Sequence, residues 1–292
     1  MTGYGQAVPG HGGEDTSGQD FWIAAPAEIG KLSSAWSTLR KGQTGRLQNS
    51  SLPYILLGVG SVLLSALLAL AGAPWLGIAF FFLGSFSSLY MSSLFLRGHE
   101  VSYVGAAGCA RYVHAAFSRS VTSTVLPFLS AKTLYIARAS YYINGSRSSC
   151  SVEYRWVDSS GKPLLAFVAF EQTLTRKPSD NGLFNFGAAA ERVWIDFTYP
   201  RYERSLVEKG EAVFPLRNGS LSIFPDRLLL RQSKRETAYA ASDLAGFSLE
   251  SGFLKLMLRT GKPVLILTSE IGDQAILLHF LHTALGLARQ DV

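Results

Sequence analysis

Two apolar runs, Leu52 to Ala71 and Trp75 to Leu96, contain no Asp, Glu, Lys, Arg or His and are separated only by Gly72, Ala73 and Pro74. At about 1.5 Å per residue each run covers roughly 30 Å, the thickness of a bilayer's hydrocarbon core. The pair therefore reads as a transmembrane helical hairpin over residues 52–96. Tyr54 and Trp75 sit where amphipathic rings favour an interface, and Pro74 suits the first turn of a second helix. The competing reading is a pair of helices buried in a soluble core, against which stands the absence of charge over two full spans.

Small residues suggest how the two helices touch. Ser61, Ser65 and Ala69 recur every four positions in the first run, and Gly84, Ser88 and Ser92 do the same in the second. Each helix thus carries a groove that permits close backbone approach, toward its partner or toward another subunit. With nothing ionisable inside either run, a proton relay or ion path is not expected.

The flanking charges set an orientation. Lys31, Arg40, Lys41 and Arg46 precede the runs and Arg97, Arg111 and Arg119 follow them, while the connection between them is uncharged. Lys and Arg favour the cytoplasmic side, so the expected location is the cell or inner membrane, with two spans and both termini cytoplasmic. Between residues 30 and 150 the only carboxylate is Glu100, against ten Lys or Arg, so the net charge of +6 understates a local basic collar. Such a collar serves topology and anionic lipid headgroups. It lacks the interleaved aromatic and basic residues that read bases, and nucleic acid is not an expected partner.

Residues 1–24 are largely Gly-rich and polar without apolar period and read as a disordered tail. In residues 25–48, Ile29, Leu32, Trp36 and Leu39 fall three or four apart after Pro26, as in an interfacial helix on the cytoplasmic leaflet or a linker helix packed on the soluble part. Lys31, Trp36, Arg40, Lys41, Arg46 and Arg97 are the candidate membrane-surface contacts.

The remainder contains a repeat. Gly161-Lys162-Pro163-Leu164-Leu165 returns 100 residues later as Gly261-Lys262-Pro263-Val264-Leu265. Each copy follows an alternating arm: Val152, Tyr154 and Trp156 in the first, Leu254, Leu256 and Leu258 in the second. Alternation around a Gly-containing turn marks a half-buried β-hairpin. Further strand candidates lie upstream of both copies, among them Ser220 to Phe224 and Arg227 to Arg231. A helix follows each: one begins over Ala188 to Phe197, with Pro200 expected to bend or interrupt it, and the other carries an apolar stripe of Ile276, Leu277, Phe280 and Leu281 with Ser269 or Asp273 as N-cap. Two units follow, residues 98–209 and 210–292, each of antiparallel strands closed by a C-terminal helix.

That order resembles the pleckstrin-homology-like (PH-like) domains of bacterial membrane proteins. The whole layout is similar to a bacterial membrane-protein family that joins a transmembrane hairpin to tandem PH-like domains. The resemblance implies a membrane-anchored α+β fold and a binding or assembly module, without naming a ligand. It does not extend to phosphoinositide recognition, because the first strand turns read Gly105-Ala106-Ala107-Gly108 and Phe224-Pro225-Asp226, with Arg227 alone beyond. Arg111, Arg119, Lys132, Arg138 and Arg147 are either anionic-lipid contacts of the first unit or ordinary solvated charges.

Chemistry is sparse. The chain has no nucleophile elbow, phosphate loop or zinc-protease motif. His279 and His282 share a helix face but lack a neighbouring carboxylate or Cys, so no catalytic, cofactor or metal residue is assigned. Cys109 and Cys150 read as reduced structural thiols, and the sequons at Asn49, Asn144 and Asn218 as turn or linker residues. Trp156 and Trp194 read as core. The expected function is a non-enzymatic protein-interaction or assembly module at the membrane, with an unknown protein partner or a second copy. Anionic-lipid sensing and a subunit role in a membrane enzyme or transport complex are the alternatives.

Overall fold

The computed structural model describes residues 19–42, 52–95, 98–114, 120–143, 146–172, 182–233 and 235–290. Along the chain come strand β1 (Leu32–Ser37), helices α1 (Leu52–Leu70) and α2 (Pro74–Phe95), and strands β2 (His99–Gly105), β3 (Gly108–His114) and β4 (Val121–Pro127). Strands β5 (Thr133–Ile143), β6 (Ser146–Val157) and β7 (Pro163–Gln172) lead into the long helix α3 (Gly182–Lys209). The second half holds β8 (Ala212–Leu216), β9 (Gly219–Ile223), β10 (Arg227–Gln232), β11 (Arg235–Ala240), β12 (Leu244–Glu250), β13 (Phe253–Leu258), β14 (Val264–Leu267) and helix α4 (Gln274–Thr283).

The strands form four antiparallel sheets ordered β1-β2-β3-β4, β5-β6-β7, β8-β9-β10-β11 and β12-β13-β14. Each half is therefore a four-stranded sheet, a three-stranded sheet and a helix. The repeated Gly-Lys-Pro turns fall at equivalent places, between β6 and β7 and between β13 and β14. Gly161 and Gly261 stand there with φ of 82° and 96°, a left-handed conformation that L side chains adopt only with strain. Alternation sets the core. Val152, Tyr154 and Trp156 of β6 are buried in the first unit, and Leu254 and Leu256 of β13 in the second.

The hairpin expectation needs correction. Helices α1 and α2 do pack side by side, but among the described residues no helix is long and apolar enough to cross a membrane. The membrane-anchored fold class over residues 52–96, the two-span integral-membrane location and the cytoplasmic orientation of the termini fall with it. The protein is predominantly antiparallel sheet.

The interfacial helix over residues 25–48 is also corrected. Ala27–Ile29 is one 3-10 turn and Leu32–Ser37 is strand β1, which pairs with β2 in the register Ser34↔Val104 and Trp36↔Ser102. The first sheet is covered on both faces, so β1 lacks the alternation that would have marked it. Its inner face meets the core that contains Val104, Cys109 and Leu126, and its outer face lies under Phe21, Trp22, Ile23 and Ile29. Residues 19–24, assigned to a disordered tail, are thus part of that cover; residues 1–18 lie outside the described residues. The first unit consequently begins before the hairpin, and α1 and α2 are an insertion in the β1–β2 connection. Its counterpart in the second unit is the two-residue turn Arg217-Asn218.

Helix α3 runs through Pro200 without a break. Pro200 is exposed, so the Asp196 carbonyl that loses its N–H partner is on the side open to water. The helix ends at the expected boundary, 209/210, but serves both units: Phe186, Ala190 and Trp194 belong to the first core and Tyr202 to the second.

Candidate functional site

The two units meet at one buried carboxylate. Asp273 precedes α4 with φ of 53°, and its carbonyl accepts the Ile276 and Leu277 N–H groups at 3.0 and 3.1 Å that start the helix. Its side chain does not cap α4 and points into the first unit instead. Oδ1 accepts the Leu134 N–H of β5 at 3.0 Å and the Trp194 indole N–H of α3 at 2.7 Å. Oδ2 accepts the Tyr202 hydroxyl at 2.6 Å and lies 3.8 Å from the Arg201 guanidinium. The Asp273 N–H donates to the Leu134 carbonyl at 2.8 Å, and Gly272 donates to Pro215 at 2.9 Å. One side chain thereby ties β5, α3 and α4.

Electrostatics at this junction follows from burial. The Asp273 side chain is fully buried, and desolvation raises its pKa, opposed by hydrogen bonds from Tyr202, the Leu134 N–H and Trp194 and by the Arg201 charge. Burial and the adjacent carboxylate push the Tyr202 phenol well above its ordinary range. The Tyr202 ring stacks on Phe214 at 4.5 Å with an interplanar angle of 4°, so its apolar face serves the second core while its hydroxyl serves the junction. Arg201 is held by its Nη2 donating to the Lys132 carbonyl at 2.9 Å. The Leu134 N–H, the Trp194 indole and the Tyr202 hydroxyl all meet this one carboxylate, as in a lock.

The residues singled out from the sequence lie elsewhere. Lys31, Arg40 and Lys41 are exposed, whereas Trp36 is half-buried against the first core. Arg46 and Arg97 lie outside the described residues. On the hairpin, Ser61 sits against Gly84: a Cβ on that glycine would fall 2.2 Å from the Ser61 Cβ. Ser65 Oγ donates to the Gly77 carbonyl at 2.5 Å, and a Cβ on Gly77 would meet the Ser65 carbonyl at 2.7 Å and the Ala69 nitrogen at 3.5 Å. Gly77 was not singled out from the sequence. Ser88 and Ser92 belong to α2, with side chains outside the described residues.

Arg111 makes a bidentate pair with Glu100 at 2.8 and 2.7 Å and reaches the Ala166 carbonyl at 3.0 Å, joining the two sheets of the first unit. Arg138 pairs with Glu191 at 3.1 Å. His279 contacts the Tyr199 hydroxyl at 3.2 Å and His282 Nδ1 donates to the Leu287 carbonyl at 3.0 Å, so the two histidines engage different partners. Cys109 and Cys150 are buried free thiols, and burial raises the pKa of Cys109.

No family model and no curated protein matches the chain. Asp273, Tyr202 and Arg201 were missed as a set. Asp273 was visible only as a possible N-cap, because its partners stand 71, 79 and 139 positions away.

Proposed function

We propose that the chain is a non-enzymatic interaction module: a scaffold of two locked sheet units that presents the α1–α2 hairpin to a protein partner or to a second copy of itself. The observation that carries this reading is the surface of the hairpin. Among the described residues, fifteen large apolar side chains between Leu56 and Phe86 are exposed, from Phe81 at 42% to Leu70 at 86%. Contiguous apolar surface on this scale is costly in water and marks a surface that something else covers. The hairpin grows from the β1–β2 connection, so whatever binds it is tied directly to the first sheet. The sheet units supply rigidity and edges rather than a reaction.

Photo-crosslinking from Leu63 or Phe82 in the full chain, followed by mass spectrometry, tests the reading. The expected product joins the hairpin to another protein chain. A variant with residues 43–97 replaced by a short Gly-Ser linker should keep the sheet signal and lose association. Substrate turnover abolished by one side-chain change would replace the proposal with an enzymatic one. Salt-sensitive recovery of the linker variant on anionic vesicles would instead favour binding of anionic lipid by the basic collar.

A further inference from the structure

Beside the junction a cleft of about 580 Å³ opens between the two units. Lys132 enters it from the β4–β5 connection of the first unit, Arg201, Arg204 and Lys209 from the last turns of α3, and Ser220 from β9 of the second unit. Lys209 alone would be an ordinary complement to the negative end of the α3 dipole. The other three cations have no such role, and they converge from two separate elements.

Six basic side chains elsewhere are neutralised by a neighbour. Arg111, Arg138, Arg155, Arg227, Arg231 and Lys255 all close ion pairs within 4 Å. Among the described residues Lys132, Arg204 and Lys209 close none, although Glu208 and Glu211 also line the cleft. Four cations face Glu208, Glu211 and the buried Asp273 beside Arg201, and the surplus is positive. Arg201 is pre-positioned, with its guanidinium 5.2 Å from the Tyr202 ring centre and one nitrogen fixed to the Lys132 carbonyl. Arg204 is steadied by its Nε donating to the Pro200 carbonyl at 3.2 Å. The Ser205 and Ser220 hydroxyls add neutral donors.

We propose that this cleft binds a phosphate-bearing anion across the two units, with Lys132, Arg201 and Arg204 supplying the charge and Ser205 and Ser220 hydrogen bonds. Guanidinium groups suit phosphate because their N–H groups match its oxygens in pairs. The volume exceeds that of a single phosphate and suits a diphosphate or a phosphorylated headgroup. The site is independent of the hairpin surface.

Calorimetric titration of the full chain with sodium pyrophosphate at low ionic strength tests the proposal. The wild type should bind saturably. Lys132→Gln combined with Arg204→Gln, both exposed positions, should weaken binding at least about tenfold with an unchanged circular dichroism spectrum. Glu208→Gln should tighten it. Absence of saturable binding, or equal affinity in the double variant, overturns the proposal. Sedimentation with vesicles then separates the sources of phosphate. A preference for anionic over zwitterionic vesicles that disappears in the double variant assigns a lipid headgroup, and pyrophosphate binding without that preference assigns a soluble ligand.

Discussion

Asp273 concentrates the inter-unit contacts in a single side chain, so its substitutions should separate geometry from charge. Asp273→Ala would leave the Leu134 N–H, the Trp194 indole and the Tyr202 hydroxyl without their acceptor and would place a β-carbon residue at φ of 53° without the local polar support of Asp or Asn. The expected loss is about 3–5 kcal/mol, measured by urea unfolding. Asp273→Asn keeps a carbonyl acceptor for Trp194 and Leu134 and tolerates the left-handed backbone, and it should lose less than half as much. Equal losses would show that the carboxylate charge, not its acceptor geometry, dominates. The pH dependence follows from the raised pKa. The folded state binds this proton more readily than the unfolded chain, whose carboxyl titrates near its ordinary 3.8. Stability from this group is therefore fullest below that value and is lost as pH rises through the raised folded pKa. Relative to Asp273→Asn, the wild-type melting temperature should rise as pH falls toward about 4; a rise in the opposite direction would mean that Arg201 and the hydrogen bonds outweigh desolvation.

The elements differ in how openly the sequence announces them, and the hairpin is the clearest case. Its close approach depends on Gly84, whereas a Cβ on Gly60 would meet nothing within 4 Å. Gly84→Val should push α1 and α2 apart, read as a longer distance between spin labels at Val62 and Leu83. Gly60→Val should leave that distance unchanged, and equal behaviour of the two would refute the packing face. The repeated turns were legible because a left-handed turn requires glycine at Gly161 and Gly261, and β6 and β13 because one face of each is buried. Strand β1 was not, since both its faces are covered and its apolar residues fell by chance at helical spacing. Strand β8 was missed for a related reason: Pro215 breaks its pattern, which an edge strand tolerates. The expected break in α3 at Pro200 did not occur because the ring sits on the exposed side. The helices lie where the uncharged runs place them, but among the described residues no helix is long and apolar enough to cross a membrane.

At the scale of the molecule, the boundary at residue 210 separates the second unit from a helix that it shares. Ile195, Tyr199, Tyr202 and Leu206 of α3 pack on the second core, and Tyr202 covers Phe214 face to face. A helix that belongs to two cores makes the units interdependent, and the Asp273 carboxylate reinforces this from the other side. The second unit is thus complete only with the C-terminal half of α3. A fragment of residues 210–292 would expose the face of Phe214 and Phe280 that Tyr202 and Tyr199 cover. Removal of a buried aromatic costs about 3–5 kcal/mol, a large share of the 5–15 kcal/mol that holds a domain folded. The fragment 210–292 should therefore show broad, non-cooperative thermal unfolding and bind a hydrophobic dye, while 195–292 should melt in a single sharp transition. Cooperative melting of 210–292 at the same temperature would mean that the second unit stands without α3. The long helix would then be a linker, and the lock at Asp273 would only set the distance between two independent folds.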